Sequence, residues 1–204
     1  MAQASAPVGA AVAGGSSQFA VIPEQTGSMP DVVSLSTPLP GDEAEFVAAV
    51  RASRSLLHPW ADPADTPQRF AAYLERAARA DHACYLIRHR SCGELVGFVN
   101  INTIVRSALQ SGSLGYAGFA SHAGRGLMTA GLRAVVSTAF GEMGLHRLEA
   151  NIQPDNARSI GLVRRLGFRQ EGFSPHFLMI DGQWRDHERW AIVADEWADG
   201  DSGA

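Results

Sequence analysis

The chain has 204 residues, enough for one domain with a sizeable core, and its 46% hydrophobic and 19% charged residues are the proportions of a soluble globular protein. A net charge of −4 excludes a general nucleic-acid binder, and no stretch approaches the ~18 consecutive apolar residues of a transmembrane helix. All 17 basic residues are arginine; no cluster has zinc-ligand spacing, so no metal is expected, and Cys84 and Cys92 read as reduced cysteines of a cytoplasmic protein rather than a disulfide.

Residues 1–28 are rich in Ala, Gly and Ser without a period, and Met1-Ala2-Gln3 lacks the positive start of a signal peptide. They read as a disordered tail. The folded domain is expected over 29–197, with a loose polar tail over 198–204. Val32-Val33-Ser34-Leu35 reads as a short strand, stopped by Pro38-Leu39-Pro40-Gly41. Asp42 can cap a helix whose apolar stripe is Ala44, Phe46, Val47 and Val50. His58-Pro59-Trp60 breaks that pattern. Thr66-Pro67 starts a second helix, with Phe70, Tyr73, Leu74 and Ala77 on one face.

The period then changes to two. Cys84 to Ile87 and Leu95 to Ile101 form an antiparallel pair around Ser91-Cys92-Gly93-Glu94. Leu114 to Phe119 is the next strand, Leu127 to Phe140 a helix, and Leu148 to Ile152 a further strand. Asn156 to Leu166 is a short helix closed by Gly167. Phe177 to Ile180 and Trp184 to Val193 form a last hairpin around Asp181-Gly182, a strong two-residue turn signal. The result is an α+β chain with a mostly antiparallel sheet, in the order β-α-α-β-β-β-α-β-α-β-β.

Between the strand ending at Phe119 and the helix starting at Leu127 lies Ala123-Gly124-Arg125-Gly126-Leu127-Met128-Thr129. The first N–H groups of a helix have no partner within it, and the dipole there favours negative charge. Gly124 and Gly126 allow close approach to the backbone, Arg125 adds a cation, and no Asp or Glu occurs from Ala123 to Phe140. The stretch is either an anion cradle or a plain strand-to-helix turn. It is not a Walker loop, because there is no Lys, and Thr129 stands where a dinucleotide fingerprint needs its third glycine.

A second motif bears on the choice. Asn156-Ala157-Arg158-Ser159 opens this helix, and the motif continues through Leu162, Arg165, Leu166, Gly167 and Phe168 to Glu171-Gly172. Asn156 and Ser159 suit a helix N-cap and its N3 partner, and both side chains can face the gap beside the cradle helix. Together the two motifs resemble the Gcn5-related N-acetyltransferase (GNAT) superfamily. Within it, His146-Arg147-Leu148, Pro154-Asp155-Asn156 and Ile180-Asp181-Gly182-Gln183-Trp184-Arg185-Asp186-His187 resemble the RimJ/RimL ribosomal-protein N-terminal acetyltransferases, over about residues 30–195. The resemblance implies a GNAT sheet with splayed central strands and acetyl-coenzyme A (acetyl-CoA) as donor. It implies that Gly124, Arg125, Gly126, Leu127, Met128 and Thr129 hold the pyrophosphate, and that the strand end near Gly118 receives the pantetheine arm as an extra strand. Asn156 would hydrogen-bond that arm and Ser159 would sit near the sulfur. Three positions depart from the family pattern: Ala123 replaces Gln or Arg, Gly131 replaces Glu, and Leu178 stands where some relatives carry a carboxylate base.

Acetyl transfer to an amine needs a neutral amine, a polarised carbonyl and a hydrogen-bond donor for the leaving sulfur. Ser159 is the candidate donor. Glu149 is the first candidate base, with a surface pair to Arg147 as its structural alternative. His187, Asp186, Glu188 and His176 of the last hairpin are weaker candidates for the base, each with a solvated or hairpin-stabilising role as its structural alternative, and His187 is also an acceptor-side candidate. Trp60 is either a core anchor or an acceptor contact. An α-amine, with a pKa of ~7.7–8.0 against ~10.4 for Lys, costs ~1 rather than ~4–5 kcal/mol to deprotonate near pH 7. A chain without an obvious strong base therefore suits protein N-termini, with a ribosomal protein as candidate acceptor. The rival expectations are a small-molecule amine acetyltransferase and a non-catalytic CoA-binding module. No nucleic-acid or membrane partner is expected, and the sequence leaves monomer and homodimer open.

Overall fold

The computed structural model describes residues 32–201; the expected 1–28 tail and residues 202–204 lie outside them. In chain order the elements are β1 (Val33–Ser36), a 3-10 turn (Pro40–Asp42), α1 (Glu43–Ala52), α2 (Arg54–Leu57), α3 (Pro67–Ala77), β2 (Ala83–His89), β3 (Leu95–Val105) and β4 (Ser111–Gly118). A second 3-10 turn (Ala120–His122) leads to α4 (Leu127–Gly141), β5 (Arg147–Ile152), α5 (Ala157–Arg165), β6 (Arg169–Ile180), β7 (Gln183–Val193) and α6 (Ala194–Asp201). The strands form one sheet in the order β1-β2-β3-β4-β5-β7-β6. Every pairing is antiparallel except β4 with β5.

That parallel pairing is short. Only Ser111–Leu114 pair with Arg147–Ala150. Beyond Leu114, β4 continues to Gly118 with β3 on one side and no strand on the other. The two central strands therefore splay, as expected.

Each face of the sheet carries its own core. On one face, Leu132, Val135, Val136 and Ala139 of α4 and Val163 of α5 pack on Ile87, Val99, Ile101, Leu148 and Ala150. On the other, α1 and α3 close over β2–β4 through an aromatic cluster. Phe46 lies 5.1 Å from Phe70, 5.6 Å from Tyr73, 5.6 Å from Phe98 and 5.8 Å from Phe119, ring centre to ring centre. Pairs at such spacing add ~0.5–1.5 kcal/mol each beyond the burial of their area. Gly131 belongs to the packing of the α4 face. A Cβ there would meet Ile87 Cδ1 at 2.3 Å, so the glycine lets α4 press onto β2 and leaves no room for a longer side chain.

Several local expectations hold. Thr66 caps α3 by accepting from Arg69 N–H at 3.2 Å, with Pro67 at the first helical position. Asp181 and Gly182 both have positive φ, 51° and 72°, as a two-residue hairpin turn of the primed kind requires. Others change. Asp42 stands at the N-cap position of α1 but its side chain makes no cap bond; its carboxylate accepts from Leu39 N–H at 2.7 Å and pairs with Arg88 of β2 at 2.7 Å, a distant partner that local pattern cannot show. The last hairpin is longer than expected, because β6 begins at Arg169. A last helix, α6, which the sequence pattern did not indicate, runs to Asp201, with Asp195 and Glu196 in its first turn and Trp197 packed on Phe140 and donating to Ser137 Oγ at 3.2 Å. Cys84 is buried and Cys92 exposed, and both are free thiols. No described helix is long and apolar enough to cross a membrane.

Candidate active site

The end of β4, the turn after it and the start of α4 build the cradle. Gly124 and Gly126 have φ of 75° and 77°, a region costly for any other residue, and a Cβ at either would meet nothing within 4 Å. The glycines therefore serve the turn itself and leave the space in front of it open. Gly126 is the N-cap of α4, no side chain caps that end, and no acid lies in the first turn. The helix thus presents its dipole to the opening. Leu127 points the other way, buried in the core. Met128 lies along the strands: a Cβ at Gly118 would meet Met128 Cγ at 2.6 Å, and one at Gly97 would meet its Sδ at 2.5 Å.

The start of α5 faces the cradle across the splay. Asn156 caps α5, its Oδ1 accepting from Ser159 N–H at 3.1 Å. The cap uses the oxygen and leaves the side-chain NH2 without a partner among the described residues. Ser159 Oγ lies 2.5 Å from Tyr116 Oη, so the splay is bridged by two hydroxyls. Burial pushes the Tyr116 phenol up to about 12, and the bond to Ser159 offsets part of that rise.

Between these elements lies a cavity of about 900 Å³. Gly118, Gly124, Gly126, Met128, Thr129, Asn156 and Ser159 line it, as does Trp60. No carboxylate lines it, whereas Arg158 and Arg165 do. A second cavity, of about 440 Å³, opens on the α1–α3 face between α3, β3 and β4. Ala61 and Tyr116 line both. The one carboxylate of the second cavity, Asp62, is gripped by Arg69 at 2.8 and 3.1 Å, and Arg76 stands 5.7 Å over the Tyr73 ring. The Trp60 loop is held at its base: Pro59 O accepts from Gln153 Nε2 at 3.3 Å, at the end of β5.

Four expected residues stand apart from the cavities. Arg125 is exposed and turns back to His122, with 3.2 Å between Nη1 and Nδ1. Leu127 faces the core and could contribute only its backbone. Glu149 shares a face of β5 with Arg147, and its oxygens lie 2.9 Å from Arg147 Nε and 3.4 Å from Arg189 Nη2. Both oxygens are thus engaged, in the surface pairing the strand alternation allowed. His187 is buried at 2% exposure; its Nδ1 bonds Arg185 O at 2.9 Å and its ring meets Phe177 at 6.0 Å. Burial holds its pKa below the ordinary value. Leu178 stands 41% exposed on β6, opposite Arg185. Among the cavity residues without an expected role are Arg158, Arg165 and Tyr116. Arg158 and Arg165 are seven apart, two turns along one helix face, and that spacing was the available signal. For Tyr116 the signal was its alternation with Leu114 and Gly118 along the cradle strand. Among the described residues, no three His, Cys, Asp or Glu side chains gather as a metal site.

Comparison with known proteins adds to this geometry. A family model described as an acetyltransferase (GNAT) domain matches residues 33–169. The chain is 38% identical over 107 residues to the [ribosomal protein uS5]-alanine N-acetyltransferase of Escherichia coli, an alignment that takes in 52% of this chain and 55% of that one. The chain thus spans about half the length of that relative. The solved structure of Mycobacterium smegmatis RimJ in complex with CoA-disulfide superposes with a TM-score of 0.74 at 31% identity, over 80% of this chain and 83% of the other. A spermidine N-acetyltransferase from Vibrio cholerae, solved with CoA and spermine, shares the fold at a TM-score of 0.71 and 16% identity, over 82% and 99% of the two chains.

Proposed function

The chain belongs to the GNAT acetyltransferase family, and from that premise we propose that it moves an acetyl group from acetyl-CoA to the N-terminal α-amine of a protein, with a ribosomal protein as acceptor. A ribosomal acceptor implies the cytoplasm. The donor half fits the residues present. Gly124 and Gly126 leave the backbone open to a pyrophosphate, the uncapped α4 end favours its charge, and Arg158 and Arg165 supply cations in a cavity without carboxylates. The free NH2 of Asn156 and the unpaired edge of β4 suit an amide-bearing arm. Bound acetyl-CoA supplies an activated acetyl group; the chain's residues bind and orient it and offer Ser159 near the sulfur.

The acceptor half rests on one observation: no unpaired carboxylate lines either cavity. A polyamine acceptor needs acid groups to balance its several charges. Here the second cavity holds Arg69, Arg76 and an Asp62 already paired to Arg69. A Lys acceptor needs a base worth ~4–5 kcal/mol, and an α-amine only ~1. The α-amine is the acceptor these walls tolerate best.

The test follows thiol release from acetyl-CoA with peptides carrying a free N-terminal Ala or Ser, with N-terminally blocked Lys peptides, and with spermidine. The expected kcat/KM is at least ~100-fold higher for the free N-termini, in line with the ~3 kcal/mol difference in deprotonation cost. A preference for spermidine would overturn the acceptor assignment. No turnover with any amine, while CoA still raises the melting temperature, would leave a non-catalytic CoA-binding module.

A further inference from the structure

Tyr116 stands at the junction of the two cavities and lines both. Donor and acceptor cavities can share a reaction only where they meet, so a group at the junction lies beside the reacting bond. The only polar contact of the Tyr116 side chain among the described residues is Ser159 Oγ, at 2.5 Å. Ser159 N–H is already committed to Asn156 Oδ1, which fixes the serine backbone and leaves its hydroxyl as the group with a choice.

A hydroxyl pair shares one hydrogen bond, and one of the two must donate it. A phenol is a stronger acid than an aliphatic alcohol, so the favoured direction is from Tyr116 to Ser159. The serine's own proton is then directed elsewhere, and a hydroxyl that accepts a bond becomes a better donor. We propose that Tyr116 is the positioning residue for Ser159: the phenol donates to Ser159 Oγ, and Ser159 in turn donates to the donor's sulfur. The inference rests on the reading of the larger cavity as an acetyl-CoA site.

The chemistry balances without a proton leaving either hydroxyl. The acceptor nitrogen forms a bond to the acetyl carbon, the carbon–sulfur bond breaks, and its electron pair goes to sulfur. The amine sheds its proton to solvent, and the thiolate takes one from solvent later. Between those events the sulfur's charge is met by the Ser159 hydroxyl, which Tyr116 holds in line. Burial raises the phenol's pKa, so Tyr116 stays protonated and remains a donor across the working range of pH. Its ring also packs against the α4–α5 core, so Tyr116→Phe removes the hydroxyl and keeps the packing.

The deciding measurement needs no acceptor. The ultraviolet thiolate band of CoA bound to the protein is titrated, with the protein holding desulfo-CoA as blank. The bound thiol of the Tyr116→Phe protein should titrate ~0.5–1 unit higher than that of the wild type, the size of one hydrogen bond to the charged form. With a peptide acceptor, kcat should fall ~10-fold while KM for acetyl-CoA stays within ~2-fold, and Tyr116→Phe added to Ser159→Ala should cost nothing more, because the two act in series. An unchanged thiol pKa in Tyr116→Phe overturns the relay and leaves the donor site standing. A wild-type protein that CoA does not stabilise overturns the donor site and the relay together.

Discussion

The proposed donor side and the proposed acceptor side of this molecule are built in different ways. The proposed donor side is made mostly of backbone. Its cradle is two glycines at φ of 75° and 77°, an uncapped helix end and a strand edge that no neighbour pairs. The proposed acceptor side is made of side chains from distant segments. Trp60 comes from the loop after α2, Tyr73 and Arg76 from α3, Asn100 and Asn102 from β3, and Tyr116 from β4. Backbone recognises what is common to every cosubstrate molecule, and it is specified by a few residues at fixed spacing. Side-chain walls can be exchanged one at a time, which lets one scaffold serve many acceptors.

Three experiments bear on that contrast. The largest effect is expected at Gly126. Gly126→Val places a branched Cβ in the open space before α4 and forces it into the left-handed region, at a cost of ~1–2 kcal/mol. CoA affinity by calorimetry should fall more than ~100-fold; unchanged affinity would remove the cradle from the donor site. A moderate effect concerns His187. Its pKa is depressed chiefly by burial, so above the unfolded value of ~6.5 both states are neutral and stability is full. As pH falls below ~6.5 the unfolded chain takes up a proton that the folded one resists, and stability declines until the folded pKa is reached, with a slope of at most ~1.4 kcal/mol per pH unit. Urea midpoints at pH 7.5 and 5.5 should separate for the wild type and converge for His187→Gln; equal separations would show that His187 is not the titrating group. The smallest effect is expected at Glu149. With its oxygens held by Arg147 and Arg189 and the residue outside both cavities, Glu149→Gln should leave kcat within ~3-fold. A loss of ~100-fold would make it the base after all.

The same contrast explains what the sequence disclosed. Element types and order were legible from periodicity, and the glycine turn and the Asn156 cap from local spacing; their reading as a donor cradle came from the family resemblance and remains a proposal. Asp42 looked like a helix cap because its distant partner, Arg88, lies 46 positions away and has no local trace. Glu149 was ambiguous for a related reason. Strand alternation says which face a residue takes, but not that Arg189, 40 positions on, will engage its second oxygen. His187 sits in a hairpin whose signals are strong, yet its burial depends on Phe177 and a register shift between Ser174 and Leu178. Tyr116 carries no local sign of a role because its partner belongs to α5, 43 positions further along. The parts that stayed hidden are those whose meaning is a long-range contact.

The short pairing of β4 with β5 has a consequence beyond ligand binding. An unpaired strand edge on the outside of a protein is a template for another chain, and sheets commonly shield such edges with charge, bulges or cover. Here the open edge of β4 from Gly115 to Gly118 lies within the sheet, walled by the starts of α4 and α5. A second protein's strand would have to enter lengthwise between those walls, whereas a slender molecule can thread in from the side. The splay thus keeps an edge permanently available to a small guest while withholding it from the wrong kind of neighbour, so the fold carries an adhesive surface without becoming sticky.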